Sequence, residues 1–281
     1  MNVVMIQVES WRSMLVVCFL LFLELVSCSP ESGGGIAGHV ACKPVKAESQ
    51  VTVATYNIHA GVGRDGKRDL KRIAETLKGA DVAGLQEVDN GRIRSGFENQ
   101  AQSLAAALGH RYWQHFAAED YWPFGTYGTA ASSSLPVVAS GIFDLPIVEG
   151  KPTRRLAWIK FLADCRSLHV FLVHLTRTDH TGSPARTLQV HAMWQMISDK
   201  TKTAGEPVIL MGDFNAGLSS QAIQWLRQRM IDVVESHAPQ LSALAPLDHI
   251  FVTGDLLVRK AEVRDNGASD HPAVVVTFQW K

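Results

Sequence analysis

Pro207-Val208-Ile209-Leu210-Met211-Gly212-Asp213-Phe214-Asn215-Ala216 is the stretch on which the fold turns. Val208–Met211 is a short apolar run bounded by Pro207 and Gly212, which predicts a buried strand. The strand hands over at once to a carboxylate and an amide. An i, i+2 pair in extended backbone points to one side, so Asp213 and Asn215 can together hold a water and a phosphate. An Asx turn after the strand explains the same two residues without chemistry.

The same form recurs along the chain, in Thr55-Tyr56-Asn57-Ile58-His59, Leu85-Gln86-Glu87-Val88-Asp89, Val173-His174-Leu175-Thr176 and Ser269-Asp270-His271-Pro272. Each motif follows an apolar or β-rich run or sits where one would end. Strand ends are where a two-sheet scaffold gathers side chains from distant parts of a chain. One such match is weak; five in a fixed order are a strong signal.

Around these motifs strands and helices alternate. Strands are predicted at Val51–Tyr56, Val82–Gln86, Asp248–Thr253, Leu256–Arg264 and Ala273–Trp280. Arg155–Leu162 and Leu168–His174 read as a hairpin turning at Asp164-Cys165-Arg166-Ser167. Asp69–Lys78 is helical, with Leu70, Ile73, Ala74 and Leu77 on one face and Gly79 as its stop. Further helices are predicted at Glu98–Leu108, at Pro184–Lys200 with Pro184 in the first turn, and at Ser219–Met230 with a serine cap. This order predicts an α/β (α+β) fold of two sheets flanked by helices rather than an all-parallel sheet.

The chain has 281 residues, 46% hydrophobic and 19% charged, enough for a proper core. Formal net charge is zero, so attraction to nucleic acid is not built into the whole surface. That disfavours a high-affinity DNA binder, though not a nuclease that meets DNA transiently. Ser13–Val26 is mostly apolar and follows Arg12. It is shorter than the ~20 residues a spanning helix needs and suits the core of a secretory signal. Leu25-Val26-Ser27-Cys28 resembles a bacterial lipobox. The expectation is a signal peptide over 1–27, a lipidated Cys28 opening a Gly-rich tether over 28–50, and one domain over 51–281. The protein is then exported and lipid-anchored to a bacterial membrane, facing the periplasm or the cell exterior. Cys42 and Cys165 are candidates for a disulfide in such a compartment, and no Cys/His spacing suggests zinc.

The chemistry is that of phosphoester hydrolysis, which needs an activated water and neutralisation of the phosphoryl oxygens. A hard divalent cation on carboxylate and amide oxygens supplies the second. Glu87 is the leading metal ligand, aimed out of its strand's end, with a surface ion pair as the plain alternative. Asn57 can orient Glu87, bind phosphate, or merely make a turn. His174 and His271 are candidates for phosphate contact and acid–base work. Asp248, at a strand start, can orient His271. Arg92 and Arg94 are natural phosphate partners. The aromatic segment Tyr121–Tyr127 can stack bases, touch a lipid surface, or cap the core.

On these motifs residues 51–281 resemble the endonuclease/exonuclease/phosphatase superfamily, with its deoxyribonuclease I-like fold. The resemblance implies a four-layer sandwich of two mixed β-sheets flanked by helices, with the site at the rim between the sheets. It implies Mg²⁺, with Mn²⁺ as a substitute, bound at Glu87 with Asn57 beside it and Asp270 near. Asp213 and Asn215 position water and phosphate, His174 contacts phosphate, and His271 pairs with Asp248. Whether Asp213 or His271 takes the water's proton stays open. One segment departs from the pattern: Thr129 stands where relatives often carry Asn, and Ser134 where they carry Arg. The expected protein is a monomeric metal-dependent phosphodiesterase or phosphatase acting on a lipid headgroup, a small phosphodiester or nucleic acid. The alternatives are an extracytoplasmic nuclease and a non-catalytic interaction lipoprotein. The complete polar set argues against the last.

Overall fold

In the computed structural model the described residues are 49–177, 184–201 and 205–281. The expected leader, Cys28, Cys42 and residues 28–48 of the tether lie outside them, while Gln50, placed in the tether, already belongs to the first strand. One sheet has the order β11 (Leu256–Arg264), β12 (Ala273–Trp280), β1 (Gln50–Asn57), β2 (Val82–Asn90), β4 (Thr126–Ser133), β3 (Tyr112–Asp120). The other runs β5 (Val137–Asp144), β6 (Arg155–Ala163), β7 (Arg166–His174), β8 (Val208–Asp213), β10 (Asp248–Val252), β9 (Ile231–Asp232). Both are mixed: β1 and β2 are parallel, as are β7 and β8, and the other pairs are antiparallel.

Alternation along the strands divides the apolar residues into three layers. Val51, Val53, Val82, Val274 and Val276 of the first sheet meet Ile159, Val170, Leu172, Ile209 and Ile250 of the second. The opposite parity of the first sheet packs on α1 (Leu70–Leu77) and α2 (Gln100–Leu108) through Ile73, Leu77 and Leu104. The outer side of the second sheet packs on α3 (Ala185–Thr201) and α4 (Gln221–Arg227) through Val190, Met193, Ile197 and Leu226. The result is the helix–sheet–sheet–helix stack that the sequence predicts. At its centre the sheets approach closely: a Cβ added at Gly84 would lie 2.4 Å from Leu172 Cδ2.

Local signals account for most element ends. Asp69 caps α1 by accepting from the backbone N–H groups of Lys71 and Arg72. The β6–β7 hairpin turns on Asp164 and Cys165, both at positive φ. Ser220 stands at the N-cap of α4, but its side chain makes no cap hydrogen bond, and that helix ends at Arg227 rather than Met230. Strands β3, β4, β5 and β9 were not among the predicted elements. β2 runs on to Asn90, past the predicted end at Gln86.

Register then lines up the polar strand ends. On the second sheet His174 pairs with Asp213, and Asp213 with Asp248, so three neighbouring strands present these residues in one row. On the first sheet Asn57 pairs with Gln86, one residue before Glu87, and β12 begins beside β1 just after His271. The two rows face each other at one rim of the sandwich.

Candidate active site

Asn57 ties the rows together. It is 1% exposed, and its amide donates to Glu87 Oε1 at 3.1 Å and to Asp213 Oδ2 at 3.0 Å. Its Oδ1 accepts from the His59 backbone N–H at 3.1 Å. Ser269, also buried, donates to the Asn57 carbonyl at 2.7 Å and so seats the Ser269–His271 turn on β1.

Glu87 reaches the rim by a route the sequence did not reveal. It lies inside β2, not at its end, at a register shift between Leu85 and Val88 and with φ +60°. Such a bulge re-aims a side chain out of the sheet. A non-glycine residue at positive φ is costly and collects at functional sites.

Asp213 is buried at the end of β8. The preceding Gly212 has φ +151°, and a Cβ there would fall 1.9 Å from the Val173 carbonyl oxygen, so only glycine fits. The expected extended Asp213–Asn215 pair is not what forms. Asn215 is at φ +47° and its backbone N–H donates to Asp213 Oδ1 at 2.8 Å, which is an Asx turn. The Asn215 amide donates to the Leu175 carbonyl at 3.0 Å. The turn pins Asp213 while leaving its Oδ2 facing two histidines.

Those histidines differ. His271 is held through Nδ1 by Asp248 Oδ2 at 2.8 Å, and its Nε2 lies 3.7 Å from Asp213 Oδ2. Burial alone would lower its pKa, but the hydrogen bond and charge of Asp248, then Asp213 and Asp270, push it up to about 9. His174 Nε2 lies 3.5 Å from the same Asp213 oxygen. Burial, then the charges of Arg154 and His271, hold its pKa well below the ordinary value. Asp213 itself is raised, by burial first and the Asp248 charge second, against His271, Asn215 and Asn57. Among the described residues Asp248 Oδ1 is buried without a partner. Asp270 is exposed, with Oδ1 3.2 Å from Ser269 Oγ and 3.7 Å from His59 Nδ1.

Two of the predicted substrate contacts land differently. Arg94 is committed to a bidentate pair with buried Asp89, at 2.8 and 2.7 Å, because that carboxylate would otherwise be buried uncompensated. Arg92 lies flat on Tyr121, 3.3 Å from the ring centre. The aromatic segment does not cap the core: Trp122 is 88% exposed, and Phe124 packs edge-on against exposed Phe97. The sequence reading missed Arg154. It is 9% exposed, and its NH1 sits 3.2 Å from His174 Nδ1. The signal was available, since the predicted hairpin brings the start of β6 beside the end of β7.

The comparisons with known proteins bear on the family and the fold. The model of the endonuclease/exonuclease/phosphatase family matches residues 54–271. A UPF0294 protein of Vibrio parahaemolyticus is 24% identical over 176 residues, 55% of this chain, and the alignment spans 60% of that relative's length. Among solved structures, an endonuclease/exonuclease/phosphatase from Beutenbergia cavernae superposes with a TM-score of 0.68 at 21% identity, covering 83% of this chain and 72% of that one. The human Nocturnin catalytic domain with bound sulfate gives 0.68 at 22%, covering 83% and 94%. The Bacteroides thetaiotaomicron mannosyl-6-phosphatase gives 0.64 at 19%, covering 82% and 100%. With its two facing sheets and the rim of polar strand ends, the chain belongs to the endonuclease/exonuclease/phosphatase family of phosphoester hydrolases.

Proposed function

We propose that this protein is a Mg²⁺-dependent phosphodiesterase or phosphatase, exported and anchored to a bacterial membrane through Cys28. The observation that carries the catalytic part is the meeting of Asn57, His174, Asp213 and His271 from both sheets, with three nitrogens 3.0 to 3.7 Å from one Asp213 oxygen.

The residues present fit a hard cation. Glu87 offers a partly exposed carboxylate steadied by the Asn57 amide, with Asp270 on the neighbouring turn, and oxygen donors suit Mg²⁺ or Mn²⁺. Asp213, Asp248 and His271 also converge, with donor atoms within 4.8 Å of one another. That cluster is a poorer cation site, because Asp248 Oδ2 is already engaged with His271 Nδ1. A cation at Glu87 would neutralise charge on the phosphoryl and leaving oxygens.

The protein's own groups supply the rest. Asp213, raised toward neutrality, accepts the water's proton at Oδ2, the oxygen that Asn57 orients. His271 works as an imidazolium whose Nε2–H stabilises the phosphoryl oxygens and can protonate the leaving oxygen. His174 contacts the phosphate, and Asn215 fixes Asp213. A panel of plasmid DNA, RNA, sphingomyelin, phosphoinositides and bis(p-nitrophenyl) phosphate, with Mg²⁺ and with EDTA, tests the reading. Hydrolysis abolished by EDTA and restored by Mg²⁺ supports it; no metal-dependent turnover of any of them overturns it. The nuclease reading draws on exposed Trp122 and Phe124, which can stack bases; the DNA and RNA arms decide it. Leu25–Cys28 supports the anchor, and absence of lipid mass on the N-terminal peptide would refute it.

A further inference from the structure

We propose that Arg154 is a positioning residue for His174: its guanidinium fixes the tautomer that carries the proton on Nε2, so that His174 meets the phosphoryl group as a neutral hydrogen-bond donor. This rests on the hydrolase reading of the same site.

The argument starts from donor and acceptor counting. A guanidinium has only N–H donors and stays protonated in proteins. Arg154 NH1 lies 3.2 Å from His174 Nδ1, so that nitrogen must accept and cannot carry hydrogen. A neutral ring then holds its proton on Nε2, the atom that faces Asp213 Oδ2 at 3.5 Å. An imidazolium would set an N–H against the guanidinium, and burial together with the Arg154 charge opposes that form. In a histidine–carboxylate pair the partner accepts a hydrogen bond from the ring N–H and stabilises its positive form, as Asp248 does for His271. Arg154 does the reverse, so one rim holds two histidines in opposite states.

The surroundings indicate that Arg154 is not simply a structural arginine. Its neighbour Arg155 is: Nε donates to Asp144 at 2.7 Å and NH1 to the Ala117 carbonyl at 2.8 Å. Arg154 is 9% exposed, yet its Nε has no partner and it forms no ion pair with a carboxylate among the described residues. It lines a small, partly open recess with Tyr127, Thr129 and His174. A buried cation left without a counter-charge costs stability, and an incoming phosphate behind His174 would supply one.

The test reads the tautomer directly, by long-range ¹H–¹⁵N spectra of the histidine rings in the whole protein, with His174 assigned from H174Q. Wild type should show His174 neutral and protonated on Nε2 from about pH 5 to about pH 8. A ring protonated on Nδ1, or an imidazolium in that range, overturns the proposal whether or not a substrate has been found. Arg154→Met should give a mixed or Nδ1–H tautomer, and Arg154→Lys, which can still donate, should restore the wild-type pattern. In turnover, Arg154→Met should lower kcat about 10- to 100-fold with little change in KM, and H174A/R154M should be no slower than H174A alone. Losses that multiply, or an unchanged tautomer in folded Arg154→Met, overturn it.

Discussion

His169 and His174 lie on one strand, β7, both buried, and their surroundings are opposite. His169 points to the helix side. Trp158 Nε1 donates to its Nδ1 at 3.0 Å, and its Nε2 meets Glu206 Oε2 at 2.5 Å. Glu206 also takes Lys160 Nζ at 2.7 Å. Each ring nitrogen is paired, and the Lys160 ammonium closes on a carboxylate. His174 points between the sheets, toward the facing rim. Its neighbours are a guanidinium without a carboxylate and an aspartate whose Oδ2 faces three nitrogens, and among the described residues both Arg154 and Asp248 keep a buried atom without a partner. The same hairpin thus carries a closed network at one end and an open one at the other. A closed network lowers the energy of the resting fold. An open one keeps hydrogen-bonding capacity for something that arrives later.

The sharpest way to break the comparison is to remove a group from the open end. His271→Ala should lower kcat by about 10²–10⁴-fold with a much smaller change in substrate affinity. Asp248→Asn should fall in the same direction, since an amide can favour the wrong tautomer. If the two act as one unit, the double variant is barely slower than His271→Ala, as kcat ratios will report. Near-normal turnover in His271→Ala would mean that the open end is not the catalytic one.

Glu87→Gln comes next. It should raise the Mg²⁺ concentration needed for half-maximal activity by more than about tenfold while the melting temperature stays close to wild type. Full activity at limiting Mg²⁺ would remove the metal from Glu87 and leave Asp213, Asp248 and His271 as the place to look.

How far the sequence foretold this difference depends on the residue. The closed strands Val51–Tyr56 and Leu168–His174 and the helix behind Asp69 announced themselves through apolar period and caps. The strands between residues 112 and 144 did not. β4 reads Gly128-Thr129-Ala130-Ala131-Ser132-Ser133, small residues chosen by close packing: a Cβ at Gly128 would sit 2.1 Å from the Phe116 carbonyl. β3 and β5 are edge strands, where half the side chains meet water and the pattern blurs. Within the site, Asn57, His174, Asp213 and Asp248 were legible as polar ends of apolar strands. The bulge at Glu87 was not, because it is a backbone conformation fixed by tertiary contacts; the turn at Asn215 was legible as the alternative to an extended pair, and it is the alternative that forms. Arg154 was overlooked since an arginine at a strand start ordinarily reads as surface; only the hairpin register shows what it faces.

The closed end offers the smallest effect and the cleanest control. Glu206→Gln keeps the shape but removes the charge that Lys160 and His169 share, so it should cost about 1–2 kcal/mol of stability near neutral pH, given that the carboxylate is about a quarter exposed, with kcat unchanged. Its pH dependence follows from the sign of the shift. Burial raises the Glu206 pKa, but hydrogen bonds from Lys160, His169 and Ser167 and the Lys160 charge outweigh it and bring the pKa from its ordinary 4.5 down to about 2. A carboxyl more acidic in the folded state than in the unfolded one adds stability above its unfolded pKa and loses it as pH falls through the folded value. The gap in melting temperature between wild type and Glu206→Gln should therefore be full above about 4.5 and close as pH falls toward about 2. A gap that stays constant across that range would show that the pair is held by shape rather than charge. A loss of activity in Glu206→Gln at neutral pH would show that the two ends of the hairpin are coupled, and the division between a closed end for stability and an open end for chemistry would fail.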